Sequence, residues 1–312
     1  MKSIDAEQVH RICEFSRLID RLSQLHQQPT EEMRDLLLTQ PTAAESDNSF
    51  FIRAAWQHDR AMGAKIISII PANSANDLPA IQAIYVLLDG KNGLPLATID
   101  GTVMTYYKTA ADSALGARYL ARQEVETMLM VGAGDMAPYL IDAHQAVRPS
   151  IRKILLWNRT TRGAFELAGR LKTGKIQVEV IENLAAAVKQ ADLICCATRT
   201  TEPLIKGQWL RVGTHVDLVG AFTPDMREAD DQTIRRSRLF VNSRLTTIGE
   251  IGELMIPIKN GVISAADVLA DHYDLCRNKH PGRTSDQEIT VFKNGGGGHV
   301  DLMTARFIYE QS

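Results

Sequence analysis

The sequence predicts an α/β protein in which a doubly wound parallel sheet is inserted into a second, α+β domain. From Thr127 onward, short apolar segments alternate with helical patterns, as in a parallel sheet covered by helices on both faces. Residues 49–100 carry several strand patterns without intervening helices. The late segments ITVFK and VDLMTARFIYEQ do not resemble a further strand–helix unit of the parallel sheet. We therefore expect one domain over 123–287 and another over 1–122 plus 288–312.

The first domain begins with helical patterns over residues 1–40. Four strand segments follow, SFFIRAAW, GAKIISIIP, AIQAIYVLLD and PLATIDG. The segment DGKNG at 89–93 joins the last two as a turn, because its residues tolerate positive φ. Residues 102–122 place alanine and leucine at helical spacing and predict one long helix.

The parallel sheet is predicted one strand at a time. TMLMV has the composition of a buried strand, and the helix after it spans 135–147. KILLW is the second strand and is followed by a helix over 161–171. IQVEV, a helix over 183–190 and DLICCA continue the alternation, and HVDLVG and RLFVN add further strands.

Composition limits the partners of the protein. The 312 residues are 45% hydrophobic and 23% charged, which suits a globular chain long enough for two cores. A net charge of −2 produces no broad field toward nucleic acid or an anionic membrane. No apolar run reaches the roughly 18 residues of a membrane span. The N-terminus has charges where a signal peptide would be apolar, so we expect a cytoplasmic protein.

The cysteines have no spacing typical of metal ligands, so no metal site is expected. Two of them are adjacent within an apolar run, which favours core thiols. A reducing compartment fits this usage. The four are Cys13, Cys195, Cys196 and Cys276.

A glycine-rich turn follows the strand TMLMV and precedes a helix. It reads Gly132, Ala133, Gly134, Asp135, Met136 and Ala137, which is the G-x-G-x-x-A pattern of dinucleotide-binding turns. The first glycine permits the tight turn, and the second lets the backbone approach a pyrophosphate at the helix N-terminus. The alternative is a glycine-rich turn in a sheet that binds nothing. The flanking strand and helix favour a dinucleotide site.

Arg159 follows the second strand of the predicted sheet, between Asn158 and Thr160. An NAD enzyme usually has an acid here, which accepts hydrogen bonds from the adenosine ribose. No acid is present, and a guanidinium attracts the 2′-phosphate of NADP(H), with asparagine and threonine as neutral donors. The alternative is a solvated arginine that opens a helix. We predict NADP(H) over NAD(H).

Several segments resemble the ornithine cyclodeaminase/mu-crystallin family, from about residue 50 to residue 310. GAKIISIIPANSANDLPA resembles the family's G-x-K…P-x-N…L-P segment. LLDGKNGLPLATIDGTVMTYYKTAA resembles its D-x-x-T-G-x-P-L-A…T-x-x-R-T-A-A run. VGAGDMA, LLWNRTT and VGAFTPDMREADD follow in the family's order.

The resemblance implies a Rossmann domain for NAD(P) inserted into a substrate and dimerisation domain, and a homodimer. Family activities include ornithine cyclodeaminase, alanine dehydrogenase and reductases of ketimines such as Δ1-pyrroline-2-carboxylate. The Asn-Arg-Thr segment is similar to that of the mu-crystallin type, which uses NADPH. Within this framework we expect Thr109, Ala197 and Thr198 to contact the cofactor as well.

Three cations are expected to hold a substrate carboxylate, as the resemblance implies. Lys65 matches the lysine of G-x-K, and Lys108 replaces the arginine of R-T-A-A. The family's first arginine is missing from TQPTAAESDNS, and Arg53 is a candidate replacement. One residue of register would turn Arg53 to the opposite face of its strand, and Lys65 could instead be a strand-end surface lysine. Lys65 is also the expected catalytic residue, since cations in a dry pocket lower a lysine pKa.

Phe222 separates the possible activities. Cyclodeaminases of the family have an aspartate at this position, and phenylalanine cannot accept a proton. The leading hypothesis is therefore an NADP-dependent reductase of an imine of a small 2-oxo acid. The alternatives are ornithine cyclodeaminase and an NADPH-bound ligand-binding protein with little turnover. The glycine run Gly295–Gly298 fits a mobile lid, a close cofactor contact or a plain turn.

Overall fold

A computed structural model describes residues 1–29, 32–42, 47–76, 78–171 and 176–312. The chain forms two compact units, Met1–Lys108 with Gly297–Ser312, and Thr109–Gly296. These divisions differ from the expected boundaries at residues 122 and 288. Among the described residues, no helix is long and apolar enough to cross a lipid bilayer.

The strands alternate with helices mainly in the second half of the chain. The strands are β1 (Lys2–Ile4), β2 (Glu32–Gln40), β3 (Asn48–Gln57), β4 (Ala61–Ile69), β5 (Ile81–Asp89), β6 (Pro95–Asp100), β7 (Thr127–Val131), β8 (Lys153–Trp157), β9 (Gln177–Val180), β10 (Leu193–Cys196), β11 (His215–Leu218), β12 (Arg238–Val241), β13 (Val268–Ala270) and β14 (Thr290–Lys293). The helices are α1 (Ala6–Ile12), α2 (Phe15–His26), α3 (Gly101–Leu120), α4 (Met136–Val147), α5 (Thr161–Arg170), α6 (Leu184–Val188), α7 (Asp231–Arg236), α8 (Arg244–Thr247), α9 (Gly252–Lys259), α10 (His272–Cys276) and α11 (Gly298–Gln311).

The first unit contains a six-stranded sheet in the order β1-β6-β5-β4-β3-β2. Neighbouring strands are antiparallel except β1 and β6. The expected helical pattern over residues 1–40 is wrong for β1, which pairs with β6, and for β2, which pairs with β3 along its whole length. Pairing with a distant strand decides the conformation of this segment, and local periodicity does not report such pairing. Helix α11 packs against β3 and β4.

Strand register sorts the side chains of this sheet onto two faces. Asp35, Arg53, Lys65 and Tyr85 are successive cross-strand partners on β2, β3, β4 and β5. Because side chains alternate along a strand, these four share one face. Lys65 and Tyr85 are buried. The opposite face carries a set of exposed apolar side chains: Leu36, Leu38, Phe50, Trp56 and Ile84.

The second unit contains an eight-stranded sheet in the order β13-β12-β14-β11-β10-β7-β8-β9. Every neighbouring pair is parallel. The order β9-β8-β7-β10-β11 reverses at β7, which is the switch point of a Rossmann sheet. The core consists of apolar side chains such as Leu129, Ile194 and Val216. The doubly wound sheet is thus confirmed, with helices α4, α5 and α6 as crossovers between its first four strands.

Strand β14 corrects the expected position of ITVFK. The segment pairs with β11 on one side and β12 on the other, so it belongs to the parallel sheet. Its residues are fully buried and its neighbours lie far away in the chain, which explains why local alternation did not predict this place. Only the last helix, α11, returns to the first unit.

The glycine run after β14 forms a hydrogen-bonded turn. Gly295 N and Gly296 N donate to the side-chain oxygens of Asn242 and Asn294 at 3.0 and 2.9 Å. The Asn242 amide donates to Gly296 O at 2.6 Å. Gly296 and Gly297 have φ values of 63° and 140°, which favour glycine. Of the three interpretations of this run, the contacts favour the turn, which leads directly into α11.

Candidate active site

The glycine turn after β7 has the geometry of a dinucleotide cradle. Gly132 has a φ of 105°, and a Cβ there would lie 2.7 Å from the carbonyl oxygen of Ala197. A Cβ on Gly134 would meet no atom within 4 Å, so the backbone there is open to a ligand. Ala133 is half-buried, whereas Gly134 and Asp135 are exposed. The turn is therefore tight on the protein side and open on the other.

Helix α4 begins at this turn without a side-chain cap. Asp135 is its N-cap and makes no side-chain capping hydrogen bond, and Met136 is the first helical residue. The first backbone N–H groups of a helix have no intrahelical acceptor and attract anions. Ala137 is buried, as close packing of the helix on the sheet requires. These residues fit the pyrophosphate of a nicotinamide dinucleotide.

Arg159 lies at the carboxyl end of β8 and is exposed. It makes no hydrogen bond or ion pair with any residue that the structure describes. Asn158 Nδ2 donates to the carbonyl and the hydroxyl of Thr160, both at 3.0 Å, and so shapes the turn. Thr160 is the N-cap of α5. Arg159 thus has no partner among the described residues, and its two neighbours build the turn that presents it.

The buried carboxylate of Glu228 holds together the loops that follow β10 and β11. Glu228 Oε1 accepts hydrogen bonds from the N–H and hydroxyl of Thr198, at 2.8 and 3.0 Å. Its Oε2 accepts from Gly220 N at 2.7 Å. A Cβ on Gly220 would overlap the backbone of Thr198. The burial of Glu228 could not be predicted from local sequence, because it depends on a fold that brings two loop ends together.

Ala197 and Thr109, which were also expected to contact the cofactor, both make backbone hydrogen bonds within the second unit. Ala197 directly follows β10, and its N–H donates to Val131 O at 2.9 Å. Thr109 is half-buried in α3, and its carbonyl accepts from Asn294 Nδ2 at 3.1 Å. Ala197 therefore supports the glycine turn through its backbone, while the contacts of Thr109 do not by themselves define a cofactor role.

A cluster of opposite charges is buried in the first unit. Lys65 Nζ donates to Asp301 Oδ1 at 2.9 Å and to the hydroxyl of Thr105 at 3.3 Å. Lys108 Nζ lies 3.7 Å from the same Asp301 oxygen. The side chains of Lys65, Lys108 and Asp301 are 3%, 4% and 0% exposed. The structure thus brings together both lysines expected at the substrate, and the surface interpretation of Lys65 is wrong.

Burial and neighbouring charges adjust the acidity of this cluster. Burial lowers the pKa of Lys65 from 10.5 to about 8; Asp301 opposes this shift, and Lys108 and Arg53 add to it. Burial alone would raise the pKa of Asp301, but the charges of Lys108, Lys65 and Arg53 hold it below its usual value. Lys65 can therefore exchange a proton near neutral pH, while Asp301 stays ionised.

Arg53 faces the same side of the sheet as Lys65, so the outward alternative is excluded by register. Its side chain is 20% exposed and already pairs with Asp35, with Nη2 to Oδ2 at 2.8 Å. Arg53 is therefore near the cluster but shares its charge with an acid on β2. The stretch that lacks the family's first arginine includes residues 43–46, which lie outside the described residues.

Phe222 follows β11 and is 59% exposed. The acids near it are engaged elsewhere in the second unit. Asp217 is buried on β11 and accepts from the Ser113 hydroxyl at 3.1 Å. Asp225 accepts from the Thr223 hydroxyl at 2.5 Å, and Glu228 is the loop clamp. The carboxylates of these three acids are therefore already engaged in other contacts and do not replace the acid that is missing at Phe222.

His144, Cys195 and Asp217 bring three possible metal ligands within 4.8 Å of one another in the second unit. Asp217 already accepts from the Cys195 thiol at 3.2 Å. Burial raises the pKa of Asp217 to about 7 and lowers that of His144 to about 4. Asp217 Oδ2 lies 3.4 Å from His144 Nε2, and His144 Nδ1 contacts Leu140 O at 2.7 Å, so the three side chains already have neighbours within the protein.

The chain is similar in sequence to one protein family and to curated relatives that share one name. Residues 44–312 match the sequence model of the ornithine cyclodeaminase/mu-crystallin family. A Δ1-pyrroline-2-carboxylate reductase of Paracoccus denitrificans is 44% identical over 290 residues, covering 93% of this chain and 90% of the relative. A protein of the same name from Colwellia psychrerythraea is 34% identical, covering 100% of this chain and 99% of the relative.

A solved structure resembles the whole chain. The Δ1-pyrroline-2-carboxylate reductase of Thermococcus litoralis, in complex with NADH and L-proline, superposes with a TM-score of 0.90 at 28% identity. The match covers 100% of this chain and 97% of that one. With the glycine turn, the Rossmann strand order and the family motifs in place, this chain belongs to the ornithine cyclodeaminase/mu-crystallin family.

Proposed function

We propose that the protein is an oxidoreductase that reduces the C=N bond of a small cyclic ketimine carboxylate, such as Δ1-pyrroline-2-carboxylate, to the amino acid with a nicotinamide dinucleotide. Relatives with this name cover nearly the whole chain at 44% and 34% identity. The observation that carries the proposal in this molecule is the buried cluster of Lys65, Lys108 and Asp301.

The charge of that cluster suits the substrate. Two ammonium groups against one carboxylate leave one positive charge in a dry site, and a buried charge needs a partner. The substrate carboxylate supplies that partner. Lys108 makes no hydrogen bond to another described residue, so it is the cation best able to receive the carboxylate. Arg53 can assist only by sharing or releasing Asp35.

The chain supplies a proton for the reduction. When bound, the dinucleotide provides a hydride to the imine carbon. Lys65, with its pKa lowered to about 8 by burial, is suited to give a proton to the imine nitrogen. Thr105 and Asp301 hold Lys65 Nζ from two directions. Excluding water from these groups strengthens their mutual attraction.

The cofactor preference follows from the end of β8. The exposed and unpaired Arg159, with no acid beside it, supports NADP(H) over NAD(H). Arg162 is less suited, because its Nε already donates to Glu166 at 2.7 Å. The Thermococcus litoralis relative was solved with NADH, whereas this chain has an exposed arginine and no acid at the end of β8.

A cofactor-dependent assay tests the proposal. Purified protein is incubated with NADPH or NADH and a panel of cyclic ketimine carboxylates, and cofactor oxidation is followed by absorbance. Oxidation that depends on the ketimine supports the proposal. Tight cofactor binding without oxidation would favour a ligand-binding protein instead.

We expect ornithine cyclodeamination to be absent. Phe222 replaces the acid of the cyclodeaminases, and Asp217, Asp225 and Glu228 are engaged in other contacts. Incubation with ornithine and NAD, with proline and ammonia quantified, measures this activity. Robust formation of both products would contradict the assignment of Phe222.

We expect a homodimer in solution that covers the apolar outer face of the first unit's sheet. Exposed apolar side chains gathered on one face mark an association surface. Sedimentation should give twice the 34.5 kDa mass of the chain. Phe50→Asp with Ile84→Asp should shift the protein to monomer, whereas the control Phe165→Asp, at an exposed site of the second unit, should not. A wild-type monomer at every concentration would refute this interface.

We also infer a reducing compartment, such as the cytoplasm, for the working protein. All four cysteines are buried, and each is a free thiol. Their burial fits core thiols, as expected from the sequence.

A further inference from the structure

Asp301 lies in the first turn of α11 and has no exposed surface. Its Oδ1 receives the hydrogen bond from Lys65 and lies near Lys108. Its Oδ2 is buried and has no hydrogen-bond partner among the residues that the structure describes. An unsatisfied buried acceptor costs about 1–3 kcal/mol. A bound molecule with a hydrogen-bond donor would remove that cost.

The position of Asp301 keeps its carboxylate charged. Gly297, the N-cap of α11, has no side chain that could cap the helix. A negative charge in the first turn is favoured by the partial positive charge of the helix N-terminus. Lys65 and Lys108 favour the same charged state. Asp301 is thus a buried acceptor and repels any other carboxylate.

The proposed substrate has an anionic carboxylate at one end and a ring nitrogen at the other, and the cluster offers cations for the first and an acceptor for the second. Its carboxylate is attracted by Lys108 and Arg53 and repelled by Asp301. Its ring nitrogen carries a hydrogen once protonated and needs an acceptor. The free oxygen of Asp301, beside the proton donor Lys65, is the acceptor that the cluster offers.

We propose that Asp301 binds the nitrogen end of the ketimine, accepting the N–H of the protonated ring nitrogen through Oδ2 while Oδ1 holds Lys65 as its proton donor. This proposal rests on the proposed function. The Lys65 ammonium gives a proton to the imine lone pair and becomes neutral. The hydride from the reduced dinucleotide forms the new C–H bond at C2, and the π electrons of the C=N bond return to nitrogen. The products are the secondary amine and the oxidised dinucleotide.

The groups that face Lys65 predict how its acidity should respond. They are Arg53 on β3, Tyr85 on β5, Thr105 and Lys108 on α3, and Asp301 on α11. Apart from burial, which lowers the pKa of Lys65 most, Asp301 raises it and Lys108 lowers it. Removing Asp301 should therefore lower the pKa of Lys65, and removing Lys108 should raise it.

The first measurement tests the contact to nitrogen. L-proline and (S)-tetrahydrofuran-2-carboxylate, which has oxygen in place of the N–H, are compared as inhibitors of ketimine reduction. The wild type should bind proline more tightly than the ether. In Asp301→Asn that preference should fall by about tenfold or more, the scale of a hydrogen bond to a charged group. The control is Glu310→Gln. It removes another carboxylate of α11, one that pairs with Arg21 of α2, and it should keep the wild-type ratio.

The second measurement is the pH dependence of kcat/KM. Activity needs protonated Lys65, so it should fall as pH rises through the pKa of that group. In Asp301→Asn this fall should move to lower pH by about one unit, the smaller end of the effect of a neighbouring opposite charge. In Lys108→Met it should move to higher pH, and in Glu310→Gln it should stay.

Each outcome is decisive. A folded Asp301→Asn protein that keeps either the wild-type inhibitor ratio or the wild-type pH dependence overturns the role of Asp301. If Asp301→Asn does not fold, the proposal is tested by two other results. The wild type must bind proline more tightly than the ether, and the fall of kcat/KM in Lys108→Met must occur at higher pH than in the wild type. Failure of either one overturns the proposal. A wild-type protein without ketimine reduction would contradict the proposed function itself.

Discussion

Replacing Lys65 by methionine is expected to lower kcat/KM for ketimine reduction by about 10²–10⁴-fold, the usual contribution of a positioned general acid. Methionine keeps most of the length and apolar bulk of lysine but carries neither charge nor proton. Lys108 would still face Asp301 at 3.7 Å, so the buried carboxylate would keep one cationic neighbour. Affinity for the dinucleotide should change little, because the proposed pyrophosphate cradle is the glycine turn after β7.

Steady-state kinetics at several pH values measure this effect. The wild-type kcat/KM should fall as pH rises above about 8, the pKa to which burial lowers Lys65. Lys91→Met is the matched control, since Lys91 is an exposed lysine in the turn between β5 and β6. A Lys65→Met enzyme with wild-type activity would remove Lys65 from the mechanism.

Replacing Arg159 by alanine is expected to weaken NADPH binding by about 1.5–3 kcal/mol, the value of a hydrogen bond to a charged group. This corresponds to roughly 10–150-fold in Kd. NADH lacks the 2′-phosphate, so its affinity should stay nearly the same. Arg159 is exposed, and its replacement should not affect folding.

Fluorescence titration with both cofactors checks this selectivity. Arg162→Ala is the matched control, because Arg162 lies on the next turn but pairs with Glu166. Its effect on NADPH affinity should be much smaller. A wild-type protein that binds NADH as tightly as NADPH would show that Arg159 does not select the phosphate.

Much of the second unit could be predicted from sequence because its signals are local. Short apolar strands alternate with helices, and the glycine turn lies between one such pair. Gly132 takes the positive φ that the pattern requires. The position of Arg159 after β8 follows from the same spacing. In a parallel sheet, the carboxyl ends of the strands lie at one edge, so local prediction of strands is enough to place these residues.

The parts that sequence could not place depend on distant contacts. β2 and β14 are defined by partners far away in the chain, and neither has a periodicity that separates it from other conformations. The roles of Glu228 and Asp301 depend on folding, which buries Glu228 against two loop ends and Asp301 against two lysines. A buried charge is recognisable only after its partners are known.

Arg53 shows how much a single register decides. Its identity as a cation was visible, but the face on which it lies depends on pairing with β4. The structure places it opposite Lys65 and, at the same time, against Asp35. The sequence could not anticipate that competing acid, because β2 was expected to be helical.

Transfer of a labelled hydride tests the central claim most directly. The protein is incubated with Δ1-pyrroline-2-carboxylate and NADPH deuterated at C4, using each of the two C4 stereoisomers in turn, and the product is examined by mass spectrometry and NMR. We predict that one stereoisomer gives proline with one deuterium at C2, in a one-to-one ratio to oxidised cofactor. Cofactor binding without labelled proline from either stereoisomer would contradict the assignment of this protein as a ketimine reductase.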